Sequence, residues 1–512
     1  MAARATYCPI DPTFPADRQE VLVRAAGCGI VLTQGLDAPA MNHVRVLDAM
    51  VEHDIDAEEL SVPSTLLDPS TPAYCLLTSG STGEPKAVVV TRSAITAAVR
   101  SLRDVLAIDP TDRVLQFAAL SWDTCFEEIF PTLTSGATLV IDDGAHVGSF
   151  PRMLRTIAER GVTVLNLPTA YWHELVHHLT EGRAQLPGCV RLVIIGGEAV
   201  RPAQLTAWHS LETGRIRLVN TYGCTETALV THAVDLHGPC SGGADAAWPD
   251  AQVVPIGRPL AHVVEFIDEE GELLVGGASL AFGYRGLPEA TAERFVTRDV
   301  GHGRQRYFRT GDRVARTRDG NLVHRGRIDG QIKVRGIRVE PAEVEAEIAK
   351  HPSVAAVAVT GASIANRMTM VALVVVHSTA DGLATSSDIT DDLRRRVPSH
   401  LVPTHIVTVP NLVYTASGKV DRPRSYQRYA AQLHRKGKSM TSQNVLRIFC
   451  SVLETDGLTV ETDFFLAGGD SLLATRVLSA IERDCGVELE FADFANARSP
   501  EALAERIASL QS

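Results

Sequence analysis

RMLRTIAERG (152–161), VTVLNL (162–167), AYWHELVHHL (170–179) and RLVIIGG (191–197) succeed one another in mid-chain. The first and third space apolar residues three and four apart, as one face of a helix does. The second and fourth are apolar runs of strand length. The alternation begins upstream with SAITAAVRSLRDVL (93–106) and RVLQFAAL (113–120). It continues downstream with RPAQLTAWHSL (201–211) and RIRLVN (215–220). Helix and strand taking turns predict an α/β fold with a mainly parallel sheet covered by helices. Ligands of such sheets gather beyond the carboxyl ends of the strands. The Gly- and Thr-rich pieces of this chain fall there.

Past about residue 253 the pattern shifts to shorter strands and turns, as in GELLVGG (271–277) and NLVHRGRIDG (321–330). A smaller α+β unit follows, with strand QIKV, helix PAEVEAEIAKH opened by Pro341, and strands VAAVAVT and MVALVVV. Proline at the first helical position is pre-organised for helix entry. LHRKGKSMTSQ (433–443) is polar, basic and Gly-broken, and reads as a linker. The helical segments NVLRIFCSVLE, SLLATRVLSAIERD and PEALAERIASL after it suggest a small bundle.

The whole chain has 512 residues, which suggests about three or four folding units. Its 49 Lys and Arg against 61 Asp and Glu give a net charge of −12. That argues against general nucleic-acid binding, which needs clustered positive charge. With 45% hydrophobic and 21% charged residues the composition is ordinary globular, so extensive disorder is not expected. No apolar run approaches membrane-spanning length, and no apolar segment follows the basic start of a secretory signal. The nine Cys are scattered and lack any CxxC pair, against a disulfide framework or a Cys-based zinc site. These features together read as a cytoplasmic protein with neither nucleic acid nor membrane as partner.

LLTSGSTGEPKAVVV (76–90) is a strand, a loop dense in Ser, Thr and Gly, a Lys, then a strand. Small residues let backbone N–H groups approach phosphate oxygens, hydroxyls add donors, and Lys86 adds charge. The spacing is not that of a Walker loop. TSGSTGEPK resembles the signature of the adenylate-forming enzymes, which include acyl-CoA synthetases, luciferases and the adenylation domains of nonribosomal peptide synthetases. Further segments match in the family's order: YCPIDPTFPADR (7–18), TYGCTET (221–227), GELLVGGASLAFGYRG (271–286), FRTGD (308–312), GRIDGQIKVRGIRVEPAEVE (326–345) and ASGKVDR (416–422). The first is similar to a segment specific to the peptide-synthetase branch. The resemblance covers residues 7 to 425.

The resemblance implies a two-step reaction. A carboxylate attacks the α-phosphate of ATP, and a thiol then attacks the acyl-adenylate. Thr78, Ser79, Gly80, Ser81, Thr82, Gly83 and Lys86 would hold the pyrophosphate side. Glu226 would ligate Mg²⁺, a hard cation suited to carboxylate oxygen. Tyr222, Thr225, Asp312 and Arg327 would bind the nucleotide, Asp312 at the ribose. Lys419 would meet the negative charge that develops at the adenylate. Thr78, Glu226 and Lys419 are thus the expected catalytic set. Asp329 falls at the family's hinge, and Gly330 beside it makes backbone rotation easy.

FFLAGGDSLLATRVL (464–478) is similar to the GGDSL site of peptidyl carrier proteins. Ser471 would carry 4′-phosphopantetheine, installed by a phosphopantetheinyl transferase. A helix opened there would favour the phosphodiester anion. The expected layout is an adenylation core over 1–328, a mobile C-terminal subdomain over 329–430, a linker over 431–441 and a four-helix carrier over 442–512. Family members carry a further stretch before the equivalent of Tyr7, so the core is expected to be N-terminally short. Cys224 stands for the usual Pro of YGPTE, and Ala87 for the usual Gly. A downstream condensation enzyme is the implied partner, with an MbtH-like helper as another.

By the same resemblance Asp123, Thr124, Glu127, Asn166, Ile194, Gly196, Thr221, Leu229 and Val230 would line the substrate pocket. Asp123 would bind an α-amine, so the substrate would be an amino acid. Glu127 stands where an apolar residue is usual, and a buried carboxylate needs a cation. A basic amino acid would supply it: ornithine, lysine, β-lysine or a cyclised arginine. The alternative is an Arg in the pocket wall. For the whole chain the rival readings are a free-standing acyl-CoA ligase and a non-catalytic scaffold.

Overall fold

The computed structural model describes residues 5–33, 44–48, 68–80, 84–142, 145, 150–180, 185–241, 253–299, 303–328, 331–334, 337–364, 367–377, 386–415, 420–435, 442–453, 455, 457–467, 471–485, 487, 489 and 491–511. Two compact units share the chain. The larger holds residues 1–343 with 395–398, the smaller 344–394 with 399–512.

A seven-stranded sheet centres the larger unit. Its order is Arg258–Pro259, Val230–His237, Arg217–Gly223, Leu192–Gly196, Val164–Pro168, Arg113–Leu115 and Thr138–Val140. The last five are parallel, and the first two extend the edge antiparallel. Runs such as LVIIG are buried on both faces, which suits a covered parallel sheet. One face packs Val164, Leu192, Ile194 and Val219 with the helix Arg92–Leu106. The other packs Leu165, Leu167, Val193 and Ile195 with the helices Phe150–Arg160, Thr169–Thr180 and Pro202–Ser210. There Trp172 and Trp208 are wholly buried with ring centroids 5.7 Å apart.

Parallel pairing is concentrated in that sheet. Pro72–Thr78, Lys86–Thr91 and Gly283–Tyr284 form an antiparallel three-stranded sheet. Val263–Ile267, Glu272–Gly277, Arg304–Arg316, Phe295–Asp299 and Leu322–Arg327 form an antiparallel five-stranded one. These are the strands and turns read beyond residue 253, although Arg304–Arg316 runs for 13 residues and is not short. The helix Thr124–Thr134 carries Pro131 in its interior, which blurs a helical pattern in the sequence.

In the smaller unit Val354–Ile364 pairs antiparallel with Arg367–Val376, and His405–Thr408 adds in parallel. The helix Arg422–Arg435 runs further than the linker reading allows, and the next begins at Ser442. Only 436–441 lie between them, outside the described residues. Ser442–Leu453, Ser471–Cys485, Phe491–Asn496 and Pro500–Gln511 are the four expected carrier helices. Phe449, Phe464 and Phe494 fill their core at centroid distances of 4.8 to 5.9 Å. Among the described residues no helix is long and apolar enough to cross a membrane.

Candidate functional site

The Gly-rich loop leaves the sheet where Thr78 pairs with Lys86. Ser79 Oγ donates to the Arg338 carbonyl at 2.8 Å and accepts from the Glu340 N–H at 3.2 Å. Gly80 is sterically required, since a Cβ there would lie 1.7 Å from the Glu84 carbonyl oxygen. Ser81, Thr82 and Gly83 lie outside the described residues. Lys86 Nζ stands 5.3 Å from the Tyr284 ring centroid, a cation–π distance. Burial holds its ammonium below the usual lysine range, with Glu340 and Glu226 opposing that shift.

Glu226 sits in a buried 3₁₀ turn, Thr225–Thr227. Tyr284 donates its hydroxyl to Glu226 Oε1 at 2.8 Å, and Arg338 Nη1 lies 3.2 Å from both carboxylate oxygens. Burial alone would favour the protonated acid. Arg338 and then Tyr284 outweigh it and hold the carboxyl below its usual range. Sequence reading missed Tyr284 and Arg338 as neighbours of Glu226, although both fall inside matched segments. Cys224 precedes the turn at φ −150°, outside the range a proline ring allows. Ala228 and Leu229 follow it with φ of 51° and 71°, the left-handed region that costs non-glycine residues energy.

Asp312 lies on the long strand Arg304–Arg316, buried at 3% exposure. It accepts from the Tyr222 hydroxyl at 2.6 Å and from Arg327 Nη1 at 3.0 Å, and pairs with His324 Nε2 at 2.9 Å. Burial pushes its carboxyl up, but His324, Lys333 and Arg327 bring it well below the usual carboxylate range. Three residues read as nucleotide contacts thus meet directly. His324 is an addition that no matched motif position marks.

The pocket residues come together on neighbouring elements. Asn166 pairs in register with Ile194, and Gly196 with Thr221, near the carboxyl ends of parallel strands. Leu229 is buried, and Val230 opens the next strand opposite Gly223. Asp123 precedes the helix Thr124–Thr134, with Thr124 its first residue and Glu127 in its first turn. Asp123 and Glu127 are four residues apart, hence on one side of that helix. Burial raises the Asp123 carboxyl, against a hydrogen bond from Thr225. Burial and then the Asp123 charge push Glu127 up to about 8, against a hydrogen bond from Asn166 Nδ2 at 3.1 Å. Glu127 makes no ion pair among the described residues. Glu128 beside it is held differently, by the N–H groups of Phe117 and Ala118 at 3.1 Å.

Gly196 has no room for a side chain. A Cβ there would lie 2.5 Å from Thr221 Oγ1, which donates to the Ile195 carbonyl at 3.0 Å. Gly196→Ala should break that bond and cost about 1–3 kcal/mol, the usual range for overpacking. A melting curve should show the transition lowered by a few degrees. An unchanged curve would contradict the contact.

Lys419 and Asp329 lie outside the described residues. Ser471 is the first residue of the helix Ser471–Cys485.

The sequence matches three families. AMP-binding enzyme covers residues 1–285, AMP-binding enzyme C-terminal domain residues 343–419, and phosphopantetheine attachment site residues 443–507. The chain belongs to the AMP-binding enzyme family. This AMP-binding enzyme is 38% identical over 423 residues to isonitrile lipopeptide synthase of Streptomyces coeruleorubidus, covering 82% of this chain and 28% of that protein. It is 31% identical over 538 residues to a dimodular nonribosomal peptide synthase of Bacillus subtilis, covering 99% of this chain and 22% of that one. The chain therefore spans under a third of either relative's length. Holo-PA1221, an NRPS protein containing adenylation and PCP domains solved with a vinylsulfonamide inhibitor, superposes with TM-score 0.71 at 27% identity. The match covers 99% of this chain and 84% of that one. Fold and domain content are thus those of an adenylation–carrier pair.

Proposed function

We propose that this AMP-binding enzyme uses ATP to activate an amino acid as its adenylate and loads it on its own carrier as a thioester. The observation that carries the reading is the succession of an AMP-binding core, its C-terminal domain and a phosphopantetheine attachment domain on one chain. Thr78, Ser79, Gly80, Ser81, Thr82, Gly83 and Lys86 cradle the pyrophosphate side, and Tyr222, Thr225, Asp312 and Arg327 bind the nucleoside. Glu226 is the candidate Mg²⁺ ligand. A buried carboxylate kept ionised suits a hard divalent cation, which would neutralise phosphate charge when bound. Arg338 already touches both Glu226 oxygens, so the ion would share or displace that contact. Catalysis is then positioning plus charge stabilisation at the α-phosphate, with Lys419 supplying charge there.

Asp329 is the proposed hinge between a core over 1–328 and a mobile subdomain over 329–430, such motion being a recognised switching mode. Ser471 is the proposed pantetheine attachment point, at a helix start suited to an anion. A phosphopantetheinyl transferase and a condensation enzyme are the proposed partners, with an MbtH-like helper as a further one and the cytoplasm as the site of action.

For the substrate, Glu127 supports a basic amino acid such as ornithine, lysine, β-lysine or a cyclised arginine. Asp123 would take the α-ammonium, leaving Glu127 for a second cation. Where Glu127 is ionised, leaving that buried charge without its partner typically costs about 3–5 kcal/mol, roughly a hundredfold or more in selectivity. ATP–pyrophosphate exchange over an amino-acid panel should favour diamino acids over leucine, phenylalanine and glutamate. Glu127→Gln should erode that preference while sparing the KM for ATP. The pH dependence carries a sign. With Glu127 titrating at about 8, the free enzyme is mostly protonated there at neutral pH. A side-chain ammonium binds the ionised form and releases that proton. Selectivity for lysine over leucine should therefore rise as pH climbs through 8. A preference for an apolar or acidic amino acid would overturn the substrate assignment.

A further inference from the structure

Three thiols that the proposed reaction leaves unused meet in the larger unit. Tyr7 forms a parallel bridge with Tyr74, its N–H donating to the Ala73 carbonyl at 3.2 Å and its carbonyl accepting from the Cys75 N–H at 2.8 Å. Cys8 therefore runs beside Cys75. On the strand Pro72–Thr78, Tyr74 and Leu76 enter the main core, while Cys75 enters a separate cluster with Ala26, Ala87 and Val89. Cys28 reaches the same cluster because Gly27, at φ 59°, ends the helix Ala16–Ala26 in the left-handed region. Cys8 and Cys28 are partly accessible and Cys75 is buried. A cation lies alongside: a Cβ on Gly27 would be 2.4 Å from Arg285 Nη2. Arg285 is anchored there by its N–H, which donates to the Ala87 carbonyl at 2.8 Å.

We propose that Cys28 is a peroxide-reactive thiol and Cys8 its resolving partner, so that oxidation closes a Cys8–Cys28 disulfide beside Cys75. The oxidant is hydrogen peroxide or an alkyl hydroperoxide. Cys28 thiolate attacks one peroxide oxygen, an S–O bond forms, and the O–O bond breaks. The departing oxygen leaves as hydroxide or alkoxide and takes up a proton. Cys28 is then a sulfenic acid, oxidised by two electrons while the peroxide is reduced. Cys8 sulfur attacks Cys28 sulfur, the S–S bond forms, and the S–O bond breaks. The hydroxide released combines with the Cys8 proton as water.

The surroundings suit these roles. A hydrogen bond from Cys8 lowers the Cys28 thiol to about 7, and Arg285 adds to this against the effect of burial. Partly exposed thiols in electropositive surroundings are the reactive ones. Cys8, hydrogen-bonded with Cys28 and Cys75, is held up as the thiol, and Cys75, lowered along with Cys28, is the buried one of the two. The roles thus divide between an attacking thiolate and a protonated neighbour. Closure would tie the segment before Pro9 to the end of the helix Ala16–Ala26.

The test uses the 512-residue chain, reduced, desalted and treated with hydrogen peroxide. Remaining thiols are then alkylated and the protein is digested with trypsin without reduction. Cys8 lies in peptide 5–18, Cys28 in 25–45 and Cys75 in 46–86, so each pairing has its own mass. The expected product joins 5–18 to 25–45. Cys8→Ser should leave Cys28 as a sulfenic acid that dimedone traps. Cys75→Ser should leave the bridge intact. Before oxidation, iodoacetamide at neutral pH should modify Cys28 several-fold faster than exposed Cys240. A bridge joining 5–18 to 46–86, or peroxide that oxidises Cys240 while Cys28 stays a thiol, overturns the proposal. The wild-type peptide map decides the pairing even if a substitution misfolds.

Discussion

Ser471→Ala is expected to accept no phosphopantetheine and to form no thioester, while its ATP–pyrophosphate exchange stays at the wild-type rate. The carrier has its own core, built on Phe449, Phe464 and Phe494. Apart from Lys419, the residues proposed for adenylation belong to the larger unit, from Thr78 to Arg327. A hydroxyl-to-hydrogen change at the first residue of Ser471–Cys485 removes the proposed attachment oxygen and alters no residue proposed for ATP. Intact mass after treatment with a phosphopantetheinyl transferase and coenzyme A checks it. One pantetheine increment is expected on wild type and none on the variant. An increment on the Ala variant would place the attachment elsewhere.

Lys419→Ala should lower amino-acid adenylation by about two or more powers of ten, the scale of losing one preorganised electrostatic group. In the proposed cycle Lys419 supplies charge while the α-phosphate is attacked. In that cycle rotation about Asp329 would then carry it away before the thiol step. Thioester formation from a chemically supplied aminoacyl-adenylate should therefore fall far less. Measuring the two half-reactions separately distinguishes the cases. Equal losses in both would count against alternation about Asp329.

Much of this was legible in the sequence, for physical reasons. Apolar runs such as VLNLP and LVIIG are continuous because that sheet is covered on both faces. The helix Phe150–Arg160 shows its buried face as Met153, Leu154 and Ile157. The helix Thr124–Thr134 was less visible, with Pro131 in its interior and polar residues on its pocket side. At the site, the motifs located Glu226 and Asp312 but not what holds them. Tyr284 and Arg338 reach Glu226 from 58 and 112 positions away, and His324 reaches Asp312 by a contact that no spacing encodes. Glu127 is set apart from the next residue only in three dimensions. Its neighbour Glu128 is anchored by backbone N–H groups, while Glu127 has Asn166. Cys8, Cys28 and Cys75 look scattered in sequence because a parallel bridge and a helix cap bring them together.

The most direct measurement is a single-turnover loading assay on the holo chain with Mg²⁺, ATP and an equimolar amino-acid mixture, read by intact mass. The account predicts one aminoacyl increment on wild type, of a diamino acid, released by hydroxylamine and absent without ATP or in Ser471→Ala. A holo chain that stays unloaded with every amino acid offered would contradict it.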